Sequence, residues 1–501
     1  MIVIGTIVFM PILLILTLWF FYYFSSEKYL KKIPGPTPLP IIGNIHQIGT
    51  DAGGLECICR FQQKYGSIYK IRTMFDIANV FISDPKLAEE ILKSHELLDK
   101  GATYDFFHSW LGTGLLTSTG KKWKEHRRML TPSFHFKILE GFIDTFNKYG
   151  NVLISKLESE VGKSSFDVYP YMVLYTLDII CATSMGTNIN AQKESDSEYV
   201  RCVEEMCRIL TDRSVSIVKS IDFLYKFTED YRIECKALRV LHKFTDSVIA
   251  KRKEELARND TTLDDDNDSD LGIKKRLTLL DAILQYKQEG KGIPDKEIRE
   301  QVDTFMFGGH DTTWIGISGI LYGLALNQRV QETVVEEINS VLCNKSTDAN
   351  YQDLQDMKYL EMVVKECLRL YPPVPIIARR MPKDTAIGEY ILPKGTDVTI
   401  NIRSLHLDPT YFPDPEKFSP ERFTTEIQST RPAHSYIPFS AGPRNCLAQK
   451  FAMLEMKAAV VKILKVFRVL PAIPDHTPRF GGLIVLKSEN GVRIRLEKRK
   501  L

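Results

Sequence analysis

A short loop near the carboxyl end of this 501-residue chain constrains its fold and chemistry more than any other segment. The loop spans Phe439 to Cys446 (FSAGPRNC) and leads directly into a helical pattern at residues 447–466. Gly442 and Pro443 predict a turn, so the cysteine stands at the start of a helix. The unpaired N–H groups and the positive dipole end of a helix lower a thiol pKa and favour the thiolate, which is suited to bind iron. A lone cysteine more often packs inertly, so the interpretation depends on the spacing of its neighbours.

That spacing, F-x-x-G-x-R-x-C, resembles the cysteine loop of the cytochrome P450 superfamily of haem-thiolate monooxygenases. The resemblance extends over essentially the whole chain. It implies that Cys446 is the metal ligand of a haem b iron, with Phe439 and Arg444 beside the cofactor and Arg444 paired with a haem carboxylate. One position departs from the family pattern, which ends C-x-G, because this chain has Ala448 in place of the glycine. We expect the added methyl group to shift the seating of the haem without abolishing it.

A second motif places Glu366 and Arg369 at i, i+3, so that both side chains leave one face of a helix. Alone, the pair is typical of a surface ion pair that contributes little. The resemblance implies that Arg422, in Pro420-Glu-Arg-Phe, completes a buried Glu-Arg-Arg network behind the cysteine loop. Such a network locks packing and takes no part in catalysis.

The stretch 300–313 (EQVDTFMFGGHDTT) supplies the candidate catalytic residues, Asp311 and Thr312. Gly308 and Gly309 leave room beside the cofactor for oxygen, the Thr312 hydroxyl can hydrogen-bond to water there, and Asp311 can pass protons inward. Gly-Gly followed by Asp-Thr-Thr also fits a kinked or capped segment. The apolar flanks favour a buried continuous helix.

The same stretch is similar to the signature of the fourth cytochrome P450 family, which is associated with ω-hydroxylation of fatty acids and related lipids. That signature usually has glutamate where this chain has Gly308. In the resembled proteins the glutamate can form an ester with a haem methyl group. We therefore expect non-covalent haem here, and the missing glutamate weakens any inference of terminal-carbon selectivity.

The resemblance also implies a set of residues that bind the haem propionates. Trp123 and Arg127 are spaced i, i+4 on one helical face, and Arg379 is a further candidate, with Arg380 as its substitute. With Arg444 they supply the positive charge that two propionates require. Two histidines are interpreted as structural or surface residues, because oxygen needs an open coordination position: His126 and His310.

The first segment predicts a membrane anchor. Residues 2–24 form an uncharged run of 23 residues, about 35 Å as a helix against a hydrocarbon core of about 30 Å. A cleaved signal peptide is the alternative, but the run lacks a charged n-region and a small-residue cleavage site. Aromatic anchors end the run and lysines follow it, which orients the remainder to the cytosol: Trp19, Tyr22, Tyr23, Lys28, Lys31 and Lys32.

Composition and periodicity describe the remainder of the chain. A net charge of +3 excludes an electrostatic case for nucleic acid, and nine scattered cysteines fit a reducing compartment. Helical patterns dominate, with strand-like runs at 68–72, 80–82, 397–402 and 484–487, and the acidic stretch 259–270 predicts a solvated loop. The predicted fold is mainly α with small β-sheets. The predicted organisation is an anchor at 1–25, a basic and proline-rich hinge at 26–40 and one large haem domain at 41–501, on the endoplasmic reticulum membrane and facing the cytosol.

Two further sets of residues are expected to serve binding. An apolar substrate wall is predicted from Tyr104, Phe106, Phe107, Trp110, Leu115, Leu116, Val374, Ile376, Ile377 and residues 480–484, although core packing explains most such residues equally well. A basic docking surface for an acidic flavoprotein reductase is predicted from Lys121, Lys122, Lys124, Arg128 and Lys450. The resemblance adds a cytochrome b-type protein as a second electron donor.

The main functional hypothesis is an NADPH-dependent, reductase-coupled monooxygenase that hydroxylates lipophilic substrates with dioxygen. The resemblance suggests fatty acids, terpenoid hormones or foreign compounds, and the residues do not choose among them. A peroxide isomerase of the same fold is an alternative that needs neither reductase nor proton relay. The Asp311–Thr312 pair argues against it. A non-catalytic haem or lipid carrier is an alternative of a different class.

Overall fold

The computed structural model describes Thr17 and residues 29–39, 42–49, 51–73, 78–193, 197–261, 278–288, 293–343 and 348–499. The predicted anchor, apart from Thr17, and most of the acidic stretch at 259–270 lie outside these residues. Among the residues described, no helix combines the length and the apolar character needed to cross a membrane.

Helices account for most of the fold. They are α1 (Asp51–Tyr65), α2 (Pro85–Lys93), α3 (His108–Leu111), α4 (Gly120–Leu130), α5 (Phe136–Glu140), α6 (Ile143–Leu157), α7 (Tyr169–Thr183), α8 (Glu198–Val215), α9 (Ile217–Ser220), α10 (Asp222–Tyr225), α11 (Glu229–Thr261), α12 (Leu279–Gln288), α13 (Asp295–Leu326), α14 (Gln328–Leu342), α15 (Tyr351–Asp356), α16 (Lys358–Leu370), α17 (Ile402–His406), α18 (Thr425–Ser429) and α19 (Gln449–Val466). Short 3-10 turns join several of them, among them Ala102–Phe107, Pro420–Phe423 and Gly442–Arg444.

The strands form small sheets at the edges of the helical body, as predicted. They are β1 (Ile68–Arg72), β2 (Ala78–Ile82), β3 (Phe166–Asp167), β4 (Ile376–Arg380), β5 (Thr385–Ile387), β6 (Tyr390–Leu392), β7 (Asp397–Asn401), β8 (Phe467–Pro471), β9 (Phe480–Gly481), β10 (Lys487–Ser488) and β11 (Arg493–Lys498). The largest sheet has the order β1-β2-β7-β4, in which only β2 and β7 run parallel. A second sheet has the order β3-β11-β8, and β5–β6 and β9–β10 pair as two-stranded ribbons.

The strand predicted at 484–487 is wrong. Only Lys487 of that run belongs to a strand, β10, and the residues before it turn back from β9. Gly482 makes the turn with φ +97°, and a Cβ there would lie 2.3 Å from the Val485 carbonyl oxygen. Because only glycine tolerates both the angle and the approach, the apolar run is bent into a loop.

The centre of the fold is α13, a helix of 32 residues and about 48 Å. It packs against α7, α11, α16 and α19 and is buried on nearly all sides. The helix continues without a break through Gly308 and Gly309, so the predicted buried continuous helix is confirmed and the kinked alternative is wrong. A Cβ on Gly309 would lie 2.5 Å from Cδ1 of Ile180, so glycine here lets α7 approach α13.

The predicted Glu-Arg-Arg network is present and buried. Both carboxylate oxygens of Glu366 accept hydrogen bonds from Arg369, at 2.7 Å (Nε) and 2.8 Å (Nη2). Arg422 Nε lies 3.6 Å from Glu366 Oε1. Arg369 also donates to the backbone carbonyls of His406 and Pro415 at 3.0 and 2.8 Å. The pair therefore joins α16 to the end of α17 and to the segment that follows it.

We predict that Glu366→Ala lowers the free energy of unfolding by about 3–5 kcal/mol, because it leaves the Arg369 charge buried without its partner. Urea denaturation followed by circular dichroism measures the change. Glu229→Ala is the matched control, since Glu229 and Arg232 form an exposed i, i+3 pair on α11. Equal free energies of unfolding for Glu366→Ala and the control would contradict the claim that the buried Glu366–Arg369 pair stabilises the fold.

Candidate active site

The cysteine loop is held by its glycine and by one backbone hydrogen bond. Gly442 has φ +67°, and a Cβ there would lie 1.8 Å from the Leu92 carbonyl oxygen at the end of α2. Glycine is therefore required for the loop to lie against α2. The Cys446 N–H donates to the Phe439 carbonyl at 2.9 Å, which closes the loop.

The Cys446 thiol lies in the wall of a cavity, three residues before α19 begins. Burial raises the pKa of this thiol, while the Ala448 N–H and the Arg127 guanidinium oppose that rise. The helix N-terminus was predicted to lower the pKa of the Cys446 thiol. In the protein without a bound cation, burial outweighs that effect. The N–H and the guanidinium are in place to favour the thiolate when a cation binds it.

Ala448, the departure from the family pattern, caps α19 with φ −94° and ψ 17°. These angles suit any L-residue, so the backbone does not require glycine here. Ala448 is part of the cavity wall beside Cys446. The substitution therefore changes the wall of the cavity and leaves the path of the chain unchanged.

The cavity has a volume of about 410 Å³ and is lined mainly by apolar side chains. Its wall comes from the cysteine loop, the middle of α13, α4, and strands β1, β2 and β4. Most of the predicted substrate wall lies on it: Tyr104, Phe107, Leu115, Leu116, Val374, Ile376, Ile377, Leu483 and Ile484.

Five residues of the predicted wall are not on the cavity: Gly481, Gly482 and three aromatic residues. Phe106 packs against the Arg213 guanidinium, 4.5 Å from its ring centroid. Trp110 packs against Phe307 in the core, with ring centroids 4.8 Å apart. Phe480 packs against Tyr371 at 4.7 Å. Contacts with residues distant in sequence turn each ring away, so their prediction as substrate contacts is wrong.

The middle of α13 gives the cavity an open stretch and three threonines, Thr304, Thr312 and Thr313. A Cβ on Gly308 would have no atom within 4 Å, so this glycine leaves free space in the cavity wall. Thr312 also lines the cavity, and its hydroxyl donates to the Gly308 carbonyl at 2.8 Å. Gly309 lines the cavity as well, although its missing side chain makes room for Ile180.

Asp311 does not lie on the cavity wall. Its carboxylate accepts hydrogen bonds from the Trp314 indole N–H at 3.0 Å and from the Cys207 thiol at 3.6 Å, which hold it toward α8. Successive residues of a helix point about 100° apart, so Asp311 and Thr312 face different directions, and the two partners of Asp311 hold it outside the cavity. Asp311 could reach the cavity only by rotation or through a bridging water.

Two arginines are fixed beside Cys446. Arg444 donates to the carbonyls of Leu98 (3.0 Å), Leu115 (3.2 Å) and Ser118 (2.8 Å), and its guanidinium lies 4.7 Å from the Trp123 ring centroid. Arg127 donates to the backbone carbonyl and the side-chain oxygen of Asn445, at 2.8 and 2.7 Å. Trp123, Arg127 and Arg444 all line the cavity.

The β4 arginines separate into two roles. Arg380 pairs with Asp397 at 3.1 Å and is therefore already neutralised. Arg379 is buried beside the cavity without lining it and donates to the Ala378 carbonyl at 3.0 Å. Burial lowers the pKa of Arg379, and burial together with Arg379 lowers that of Arg444 to about 9.

Lys100 is a residue of the site that the sequence did not reveal. It lines the cavity, and burial, together with Arg379 and Arg444, holds its pKa well below the usual range. Its backbone pairs with Arg379 in an isolated bridge between segments far apart in the chain. A single lysine outside any motif gives no sequence signal for such a contact.

The cations and the thiol fit the haem that the resemblance implies. Among the described residues, no carboxylate forms an ion pair with Lys100, Arg127, Arg379 or Arg444. Unpaired buried cations are costly, and a flat cofactor with two carboxylates would neutralise them. Cys446 would supply the metal ligand, and Gly308 leaves room beside it.

The two histidines are outside the cavity, in agreement with their structural interpretation. His126 on α4 contacts Gln301 (Nδ1 to Nε2, 2.9 Å) and Glu297 (Nε2 to Oε2, 3.3 Å). His310 is buried on α13 away from the wall.

Comparison with known proteins places this chain in a family. The model of the family described as Cytochrome P450 matches residues 33–493. Cytochrome P450 4c3 of Drosophila melanogaster is 41% identical over 482 residues, covering 94% of this chain and 90% of the relative. Cytochrome P450 4V2 of Homo sapiens is 43% identical over 480 residues, covering 95% of this chain and 91% of the relative. The chain therefore belongs to the cytochrome P450 family, whose cofactor is a thiolate-ligated haem iron.

Proposed function

We propose that this haem-thiolate monooxygenase takes electrons from an NADPH-dependent flavoprotein reductase and hydroxylates elongated lipophilic substrates. The observation that carries the proposal is the convergence of Cys446, unpaired cations, Gly308 and Thr312 on one apolar cavity. When bound, the haem supplies the activation of dioxygen, and the residues of the chain position the reactants.

The residues divide this work between them. Cys446 would hold the iron, and Arg127, Arg444 and Lys100 would neutralise the haem carboxylates, with Arg379 adding positive charge behind them. The apolar walls exclude water from the reacting C–H bond. Thr312 places a hydroxyl one helical turn from Gly308, and this hydroxyl can orient a water that carries a proton from Asp311.

The shape of the cavity supports a lipophilic substrate. Its lining reaches from Cys446 to Ile71 and Phe81 of the β-sheet and to Ile58 of α1. Three cations line it, and all three belong to the cofactor end. A molecule bound in the remainder would make apolar contacts, which favours fatty acyl chains, terpenoids and similar compounds.

The proposed docking surface for the reductase consists of exposed cations near α4 and α19. Lys121, Lys124, Arg128 and Lys450 are exposed. Lys122 is not included in the proposed surface, because its ammonium group already pairs with Glu297 at 2.9 Å and donates to the Thr113 hydroxyl at 2.6 Å. The remaining cations would attract an acidic reductase or a cytochrome b-type donor.

The proposal includes the predicted arrangement on the membrane. Residues 1–25 would anchor the chain in the endoplasmic reticulum, residues 26–40 would act as a hinge, and residues 41–501 would form the cytosolic haem domain. The uncharged run at 2–24 and the lysines that follow it support this arrangement.

We expect Thr312→Ala to form less hydroxylated product per NADPH and to release hydrogen peroxide, because proton delivery loses its oriented hydroxyl. The assay measures product, NADPH and peroxide with the reductase and a panel of lipids screened by Soret shift. Ser318→Ala is the matched control, since Ser318 makes the same hydroxyl-to-carbonyl bond on α13 outside the cavity. Unchanged coupling in Thr312→Ala would contradict the proposal and favour a carrier. Lipid peroxide turnover without reductase would favour the isomerase.

Acid–acetone extraction should release the haem from this protein, because Gly308 cannot form the ester that the family's glutamate forms. The variant Gly308→Glu is the comparison, since a side chain at this position meets open space. Absorbance of the extract and of the precipitated protein measures the distribution. Haem retained on the unaltered chain would show that another residue attaches it.

A further inference from the structure

A buried polar cluster lies on the side of α13 that faces away from the cavity. This outer polar cluster consists of Asp303 and His310 on α13, His242 on α11 and Tyr199 on α8. Asp303 and His310 are 1% exposed and Tyr199 is 3% exposed, and none of the four lines the cavity. The proposed function so far gives them no role.

The cluster leaves polar atoms without partners in the protein. Among the described residues, no group meets the geometry of a hydrogen bond to either carboxylate oxygen of Asp303 or to either ring nitrogen of His310, although the Thr245 hydroxyl and the Val173 backbone lie near enough to act on their pKa values. His242 Nε2 lies 3.7 Å from Asp303 Oδ2 and 3.0 Å from the Trp110 carbonyl. Buried groups of this kind are costly when unpaired and are normally satisfied by ordered water. We therefore expect internal water at both residues.

Asp303 and His310 lie along one line on α13. Asp303 and His310 are seven residues apart, so they share a helix face at an axial separation of about 10.5 Å. Tyr199 lies alongside them, with its ring centroid 6.4 Å from that of His310. Burial raises the pKa of Tyr199.

The line has an outer and an inner end. At the outer end the His242 side chain is 23% exposed, and Arg299 Nη1 lies 3.7 Å from Asp246 Oδ2 beside it. At the inner end His310 is adjacent in the chain to Asp311. Few charges face the line from the packed helices: Arg299, Asp246 and Glu300 act on Asp303, and Asp311 and Lys487 act on His310.

The protonation states suit proton transfer. Burial raises the pKa of Asp303 to about 8, so its carboxyl holds a proton at neutral pH. Burial lowers the pKa of His310 to about 4, so its imidazole is neutral. Each group can then donate one proton and accept another.

We propose that the outer polar cluster, joined by buried water, is a proton-supply route from solvent at α11 to Asp311. The inference rests on the proposed monooxygenase function. In each turnover one dioxygen, two electrons from NADPH through the reductase and two protons convert a C–H bond to C–OH and release one water. The route delivers those protons to Asp311, and its members are positioning residues, because they touch neither substrate nor cofactor.

The test is Asp303→Asn, which keeps the shape of the side chain and removes its acid. With the panel lipid that gives the largest Soret shift, we expect unchanged haem content, an unchanged Soret shift and about tenfold slower product formation. The solvent deuterium isotope effect should rise, and Asp303→Glu should restore the rate. Glu455→Gln is the matched control, since Glu455 on α19 is also buried with both oxygens unpartnered but lies outside the cluster.

The outcomes separate this inference from the proposed function. If Asp303→Asn keeps the normal rate and isotope effect while Thr312→Ala loses coupling, the route is wrong and the monooxygenase assignment stands; protons would then enter from another side, such as Lys487. If neither Asp303→Asn nor Thr312→Ala loses coupling, both the route and the monooxygenase assignment are overturned. A crystal structure of the unaltered holoenzyme is the second measurement: ordered waters between Asp303 and His310 support the route, and a dry, closed space there overturns it even if Asp303→Asn fails to fold.

Discussion

The anionic sulfur that Cys446 must present in a largely apolar cavity is the constraint on which the rest of the site depends. Burial alone disfavours the thiolate, as the raised pKa of the thiol shows. The Ala448 N–H and the Arg127 guanidinium work against that penalty, and a bound ferric ion would complete the compensation. The loop geometry that makes this possible depends on Gly442, which allows the chain to lie directly against α2.

The surrounding elements maintain that geometry from two sides. Behind the loop, the buried Glu366–Arg369 pair fixes α16 against the end of α17 and the segment that follows it. Across the molecule, α13 gives the cavity its open stretch at Gly308 and a hydroxyl at Thr312. The arginines between them are already held by backbone carbonyls and by Asn445, so they are oriented before a cofactor binds. Little reorganisation would then be needed for the haem carboxylates to be neutralised.

Local patterns in the sequence were sufficient for part of this arrangement. The spacing around Cys446 predicted the loop, and the i, i+3 spacing predicted the Glu366–Arg369 pair, because both depend on residues close in the chain. The run at 68–72 was predicted with the bounds of β1. The run at 484–487 was misread, because the turn at Gly482 decides its conformation and an apolar alternation alone does not. The positions of Lys100 and Phe106 depend on contacts with distant segments, which no local pattern contains.

The orientation of Asp311 is an intermediate case. The sequence identified the acid and the hydroxyl, and the helical period already implies that neighbours on α13 point in different directions. The helical period does not tell whether Asp311 or Thr312 points toward the cavity. Contacts of Asp311 with Trp314 and Cys207 decide this, and they turn the acid toward the polar side of the helix.

The most direct test of the account is the reduced carbon monoxide difference spectrum of Cys446→Ser beside that of the unaltered protein, both supplied with haem. The account predicts the spectrum of a thiolate-ligated haem for the unaltered protein and its loss in the variant. A colourless unaltered protein, or a variant that keeps the unaltered spectrum, would contradict the assignment of Cys446 as the iron ligand.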